Sequence, residues 1–206
     1  MKLDVNVRKV VLASNNAGKL REFDSLLAPK GWTLVPQGEL GVPEAPEPHL
    51  TFVENALAKA RHACEYTGLP ALADDSGLCV SALNGAPGVY SARFAEMNGG
   101  EKSDQANNLY LQQQLKGVTD RRAHYVAVLV FMRAVNDPQP VIAQAQWHGE
   151  IIFEPLGTNG FGYDPYFYVP QFNKTVAQLE PDEKNANSHR AQALQLLVRQ
   201  LGGHSI

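Results

Sequence analysis

Leu69-Pro70-Ala71-Leu72-Ala73-Asp74-Asp75-Ser76-Gly77-Leu78-Cys79-Val80 is the stretch on which the fold turns. An apolar run, 69–73, leads straight into two adjacent carboxylates, and an apolar segment, 78–80, follows Gly77. Neighbouring charges beside a buried strand need a cation or a tight hydrogen-bond network to compensate them. Carboxylate oxygens of this kind suit Mg²⁺ or Mn²⁺, and Mg²⁺ usually arrives with substrate phosphates. The plainer alternative is a solvated Asp-Asp turn, with Gly77 at a positive φ and extended segments on either side.

Working outward, the β-branched run 10–13 reads as a buried strand, 14–18 as a polar turn and 19–27 as a helix. Residues 32–35 read as a second strand, and the Gly-, Pro- and Glu-rich segment 36–48 as a loop. Thr51 and Glu54 have capping-box spacing, so a helix is expected from Thr51 to about Tyr66, stopped by Gly68. A turn is expected over 85–88 and a helix over 104–115. Two long strands follow, 123–135 and 141–153, as antiparallel neighbours joined through Asp137-Pro138. A glycine-rich loop over 157–162, a short strand over 166–169 and a closing helix over 188–201, capped by Ser188, complete the chain. Strands alternating with helices, plus one antiparallel pair, predict an α/β fold: a mixed β-sheet covered by helices.

The chain has 206 residues, a length that suits one domain over 1–206 with two lobes. Hydrophobic residues make up 44% and charged residues 19%, enough apolar matter for a real core. The net charge of −3 argues against a general nucleic-acid binder, which carries a basic face, but not against a nucleotide enzyme with a few local cations. Cys64 and Cys79 suggest neither a disulfide framework nor a zinc site. The opening residues lack the apolar core of a signal peptide, and the apolar run 125–132 is too short to span a bilayer. A cytoplasmic protein without a membrane partner is expected.

Four further motifs carry chemistry. Ser14-Asn15-Asn16-Ala17-Gly18-Lys19 sits at a strand-to-helix turn, where backbone N–H groups and a lysine bind anions. A Walker A loop would need Gly at 13 and Ser or Thr at 20, where Ala13 and Leu20 stand. In Thr51-Phe52-Val53-Glu54-Asn55, Glu54 suits a cap as well as a metal-site acid, and Lys59 falls one helical turn beyond Asn55. In Gly157-Thr158-Asn159-Gly160-Phe161-Gly162-Tyr163-Asp164, the aromatics suit stacking on a base, or packing at a loop edge. An RNA-recognition motif is disfavoured there by Asn159, where a basic residue belongs, and by Pro165. Ser188-His189-Arg190, just after Lys184, places cations at a helix start, against the helix dipole. Local inconsistencies of that sort tend to mark function.

Taken together and in this order, these motifs resemble one family, the inosine triphosphate pyrophosphatases. The carrying segments are SNNAGK, TFVENALAKARHA, LADDSGL, GAPGVYSAR, FGYDPYF and the Lys184 to His189-Arg190 stretch, from about residue 10 to 201. The resemblance implies hydrolysis of ITP, dITP and XTP to monophosphate and pyrophosphate, with Mg²⁺ as cofactor. It implies a homodimer and an elongated fold of two lobes with the site between them. It also implies that Ser14, Asn15, Asn16, Ala17, Gly18 and Lys19 cradle the triphosphate, and that Asp75 is the proton acceptor and a Mg²⁺ ligand beside Asp74. Ser76 would contact substrate, Phe161 would stack on the purine within Gly162, Tyr163 and Asp164, and Lys184, His189 and Arg190 would complete the base pocket. Glu47 falls where the family has a metal-binding acid, although Pro46, Pro48 and His49 depart from the usual Glu-Glu-Thr-Gly. Two other readings compete: a pyrophosphatase for pyrimidine or modified nucleotides of the related Maf type, and a nucleotide-sensing or RNA-binding protein without turnover.

Overall fold

The computed structural model describes residues 9–203. The sequence reading of residues 1–4 lies outside them. A seven-stranded sheet runs in the order β2-β1-β3-β4-β5-β6-β7. Its parallel edge is built from β1 (Lys9–Leu12), β2 (Thr33–Pro36) and β3 (Ala71–Val80). Val11 lies opposite Val35 on one side and Ala71 on the other, both in parallel register. Val10, Val11 and Leu12 are fully buried, as an inner parallel strand covered on both faces requires.

The other half is antiparallel. β4 (Arg122–Met132) and β5 (Val141–Ile151) are neighbours in the sheet. The Ile151 N–H donates to the Arg121 carbonyl at 2.9 Å, so the end of β5 lies against the start of β4, the antiparallel arrangement expected. Their connection closes on Asp137, which accepts from the Arg133 side chain and from the backbone N–H groups of Arg133 and Gln139. β6 (Phe167–Val169) pairs antiparallel with β5, and β7 (Lys174–Thr175) with β6.

Among the described residues, five α-helices form: α1 (Ala17–Leu27), α2 (Phe52–Thr67), α3 (Asp104–Gln114), α4 (Pro181–Asn187) and α5 (His189–Gly203). Helix α2 begins as its capping residues dictate. Thr51 accepts from the Glu54 N–H, and the chain leaves the helix through Gly68 at φ 66°. The Asp-Asp turn does not exist: β3 is one continuous strand through Asp74, Asp75 and Gly77. Successive strand residues face opposite sides of a sheet, so the two charges are parted by the pleat rather than by a turn. Ser188 stands at the end of α4, extended at ψ 159°, and α5 starts at His189. Neither β7 nor α4 is visible in the sequence pattern, because one has two residues and the other, Pro-Asp-Glu-Lys-Asn-Ala-Asn, has no apolar period.

The chain gathers into two compact units. The first comprises Met1–Asp75, Ala127–Ala145 and Arg190–Ile206. Its core joins Val10, Leu12, Phe23, Leu27, Leu72, Leu129, Leu194 and Leu197. The second comprises Ser76–Val126 and Gln146–His189, with a core around Leu78, Leu111, Tyr125, Trp147, Phe167 and Leu179.

Candidate functional site

In the first unit, two buried carboxylates meet three cations. Asp74 is 1% exposed and Asp75 7%. Asp74 Oδ2 lies 2.7 Å from Lys19 Nζ and 3.4 Å from Arg190 Nε. Arg190 also reaches Glu22 at 2.8 Å. Burial alone would raise the Asp74 carboxyl, but Lys19 and then Arg190 override it and hold it well below the usual carboxylate range. Burial likewise pulls Lys19 below the ordinary lysine value, with Asp74 opposing.

Asp75 has a different neighbourhood. Its Oδ1 accepts from Lys59 Nζ at 2.8 Å, and the same ammonium donates to Glu47 Oε1 at 2.8 Å. Asp75 Oδ2 is buried and accepts no hydrogen bond among the described residues. Burial pushes the Asp75 carboxyl above its usual value, and Glu47 and Asp74 add to this against the pull of Lys59. Two adjacent aspartates are thus driven apart in proton affinity, a pattern that separates acid-base roles in enzymes.

Secondary structure explains how these groups converge. Lys19 lies in the first turn of α1, which is capped by Asn16. The Asn16 Oδ1 accepts from the Gly18 N–H at 2.9 Å and the Lys19 N–H at 3.0 Å, and Ser14 Oγ accepts from the Asn16 N–H. Asn55 is buried on α2 and grips His49 by both its backbone groups, at 3.1 and 3.2 Å. That grip holds the loop carrying Glu47 above Lys59, one helical turn along. Glu54 proves to be a cap residue, taking a hydrogen bond from the Thr51 hydroxyl. Arg190 opens α5, and its two carboxylate partners offset the unfavourable dipole position.

In the second unit, Asp164 organises a second cluster. Its Oδ1 accepts from Tyr125 Oη at 3.1 Å, and its Oδ2 from Lys184 Nζ at 3.0 Å and the Phe161 N–H at 3.0 Å. His189 stacks on Tyr125, with ring centroids 4.8 Å apart. Phe161 is 38% exposed and its ring lies under the Lys184 ammonium, 4.7 Å from the centroid. The loop that presents Phe161 is held from α3: Asp104 accepts from the Gly162 N–H at 2.8 Å, and Asn108 donates to the Gly162 carbonyl at 2.9 Å. Gly160 is required, because a Cβ there would clash with Asp164 Oδ2 at a φ of +78°. Tyr163 is buried, and its hydroxyl donates to the Ser91 carbonyl at 2.8 Å, so burial raises its proton affinity.

No group of three or more His, Cys, Asp or Glu side chains forms a metal-binding cluster among the described residues. A Mg²⁺ site needs less from the protein, because Mg²⁺ is usually held by one or two carboxylates together with substrate phosphates. Glu47 and Asp75 fit that requirement. A single ammonium already bridges them, and Asp75 keeps an unpartnered buried oxygen.

The structure therefore brings Lys19, Asp74, Asp75, Glu47 and Arg190 into one unit, and Phe161, Asp164, Lys184 and His189 into the other. Arg190, expected with the base pocket, has its guanidinium paired with Asp74 and Glu22. Tyr163 is a core residue rather than an open stacking face. Ser76 is the strand residue after Asp75, at the start of the second unit. Sequence reading assigned no role to Lys59, Glu22, Tyr125, Asp104 or Asn108. The position of Lys59 one turn from buried Asn55 was the available signal.

The fold and these clusters define an α/β protein with a buried carboxylate–ammonium centre, the kind of perturbed constellation that marks enzyme sites. The comparison with known proteins makes this particular. The Ham1 family model matches residues 10–200, and the chain belongs to that family. It is 64% identical to the dITP/XTP pyrophosphatase of Ralstonia nicotianae over 195 residues, 95% of this chain and 97% of that one. It is 60% identical to the dITP/XTP pyrophosphatase of Neisseria meningitidis serogroup B, over 94% of this chain and 96% of that one. Among solved structures, a HAM1 protein from Coxiella burnetii superposes with a TM-score of 0.88 at 48% identity, covering 95% of this chain and 99% of that one.

Proposed function

We propose that this chain hydrolyses nonstandard purine nucleoside triphosphates (ITP, dITP and XTP) to the monophosphate and pyrophosphate, clearing deaminated purines from the nucleotide pool. Its relatives bear the name dITP/XTP pyrophosphatase. The observation that carries the mechanism is the divergence of Asp74 and Asp75: one carboxylate is locked as a charge partner, the other is raised in proton affinity and keeps a buried oxygen with no hydrogen bond among the described residues. Asp75 takes the proton of the water that attacks the α-phosphorus, a task suited to a carboxylate whose proton affinity burial has raised. Lys59 holds Asp75 and Glu47 in register. Lys19, steadied by Asp74, stands at the start of α1 beside the Ser14–Asn16 turn and faces the charge that develops on the departing pyrophosphate.

Mg²⁺ is the proposed cofactor, with Asp75 and Glu47 as its holders and Asp74 behind them. When bound it would neutralise phosphate charge and polarise the reacting phosphoryl group. Phe161 offers a stacking face to the purine, and Lys184 offers only donors. Hypoxanthine and xanthine present an acceptor oxygen at position 6, adenine an amino donor. Donor-only recognition in a closed site can discriminate by roughly 10⁴. Crowding near the 2-position is the proposed basis for rejecting guanine. The enzyme is proposed to act in the cytoplasm, as a homodimer, in keeping with the resemblance set out above. No described helix is long and apolar enough to cross a membrane.

The test is turnover of dITP, XTP, dATP, dGTP and a pyrimidine panel with Mg²⁺, with pyrophosphate and orthophosphate measured separately. Pyrophosphate from dITP and XTP alone is expected. Equal rates on dATP would overturn the base reading, equal rates on dGTP the crowding argument, and orthophosphate the site of attack. Preference for pyrimidines would move the chain to the Maf-type chemistry.

A further inference from the structure

Two histidines that the proposed reaction does not use face each other across the antiparallel half of the sheet. The bond from the Ile151 N–H to the Arg121 carbonyl sets the register of β4 against β5. Counting inward three residues along each strand brings His124 opposite His148. An odd step from a hydrogen-bonded pair lands on a non-hydrogen-bonded pair, where side chains lie closer. Their ring centroids are 5.4 Å apart with a 39° interplanar angle. His124 is half-buried and His148 exposed, so the pair opens to solvent on one side.

That spacing has a chemical meaning. Two imidazoles that bind one Zn²⁺ at about 2.0–2.1 Å with a tetrahedral angle place their ring centroids about 5 Å apart. Imidazole suits Zn²⁺, Cu²⁺ and Ni²⁺, and does not suit Mg²⁺. We propose that His124 and His148 form a two-imidazole site for a borderline transition metal, Zn²⁺ in the first instance, on the outer face of β4 and β5. The flanking charges on this face leave the site approachable. Arg122 is tied to Asp120 by two hydrogen bonds, at 2.9 and 2.7 Å, and Glu150 stands across from Arg122, one position along the same face. Bound metal would clamp β4 to β5 and stabilise the folded chain by linkage.

The test is calorimetric titration of Zn²⁺ into the full chain in excess Mg²⁺, which occupies hard oxygen sites. Wild type should take up one equivalent of Zn²⁺. His148→Gln, exposed and outside the proposed machinery, should weaken uptake by about a hundredfold, since the second imidazole binds at high effective concentration. His124→Gln should do the same. Cu²⁺ electron paramagnetic resonance should show two imidazole nitrogens in wild type and one in either variant. Turnover of dITP by His148→Gln should equal wild type, which reports that the variant is folded. Absent Zn²⁺ uptake, or uptake unchanged in both variants, would overturn the site.

Discussion

Asp74 and Asp75 are joined by one peptide bond, yet their electrostatic surroundings predict opposite mutant behaviour. Asp74 is the counter-charge of Lys19 and Arg190. Its carboxyl is depressed below the unfolded value of about 3.9, so the stability it contributes is present above that pH and is lost on acidification through its folded value. Asp74→Asn strands the buried Lys19 ammonium and leaves Arg190 with Glu22, and should cost about 3 kcal/mol in urea denaturation at pH 7. Asp75 is raised, so at pH 7 its ionised form opposes folding, and the sign reverses. Asp75→Asn should leave stability unchanged or raise it by about 0.5–2 kcal/mol, as relief of a strained active site commonly does. It should lower kcat for dITP by about 10²–10⁴, the range for loss of a general base. An Asp75→Asn protein that unfolds as readily as Asp74→Asn, or keeps its turnover, would contradict this division of labour.

At the scale of elements, the β4–β5 connection and the glycine-rich loop each depend on one carboxylate. Burial alone would raise Asp137, but the hydrogen bonds from Arg133 and Gln139 lower it to about 2. Its stabilisation is present above the unfolded value and fades as pH falls from about 4 to 2. Asp137→Asn should lose about 2 kcal/mol at pH 7 and match wild type near pH 2, as read from denaturation at both pH values. In the glycine-rich loop, Gly160→Ala drives a methyl group into Asp164 and puts alanine at a left-handed φ. It should disturb the Phe161 and Lys184 contacts together and raise KM for dITP about tenfold, worth about 1.4 kcal/mol, while the protein still unfolds cooperatively. These elements also show what was legible in the sequence. Strands β1 and β2, helices α1, α2 and α3 and the β4–β5 pair follow from apolar runs, caps and Gly stops. The strand through Asp74 and Asp75 was masked because the compensating Lys19, Lys59 and Arg190 come from three distant helices. Glu22 carries no local signature and Lys59 only its place one turn beyond Asn55, since a lysine or glutamate in an amphipathic helix ordinarily faces water. Only the register in space turns them into partners of Asp75 and Arg190.

For the whole molecule, charge is the decisive quantity. The chain carries a net charge of −3, so its long-range field does not draw in a nucleotide. The buried centre does not reverse that sign locally. Among the described ion pairs, Lys19, Lys59 and Arg190 face Asp74, Asp75, Glu22 and Glu47, three cations against four carboxylates, one net negative charge. A triphosphate brought to this centre alone would meet repulsion and would compete with carboxylates for the same ammonium groups. A divalent cation changes the balance, since two carboxylates can turn to it and release Lys59 from its bridge. Binding, and not only chemistry, should therefore require the metal. A hydrolysis-resistant dITP analogue titrated by calorimetry should bind at least about a hundredfold more weakly in EDTA than in Mg²⁺, a loss of about 2.7 kcal/mol. Lys59→Met removes the resident cation from Glu47 and Asp75, so it should widen that gap by making the metal-free centre still more negative. Equal affinity with and without Mg²⁺ would show that Lys19 and Arg190 hold the phosphates unaided, and would remove Glu47 and Asp75 from the binding step.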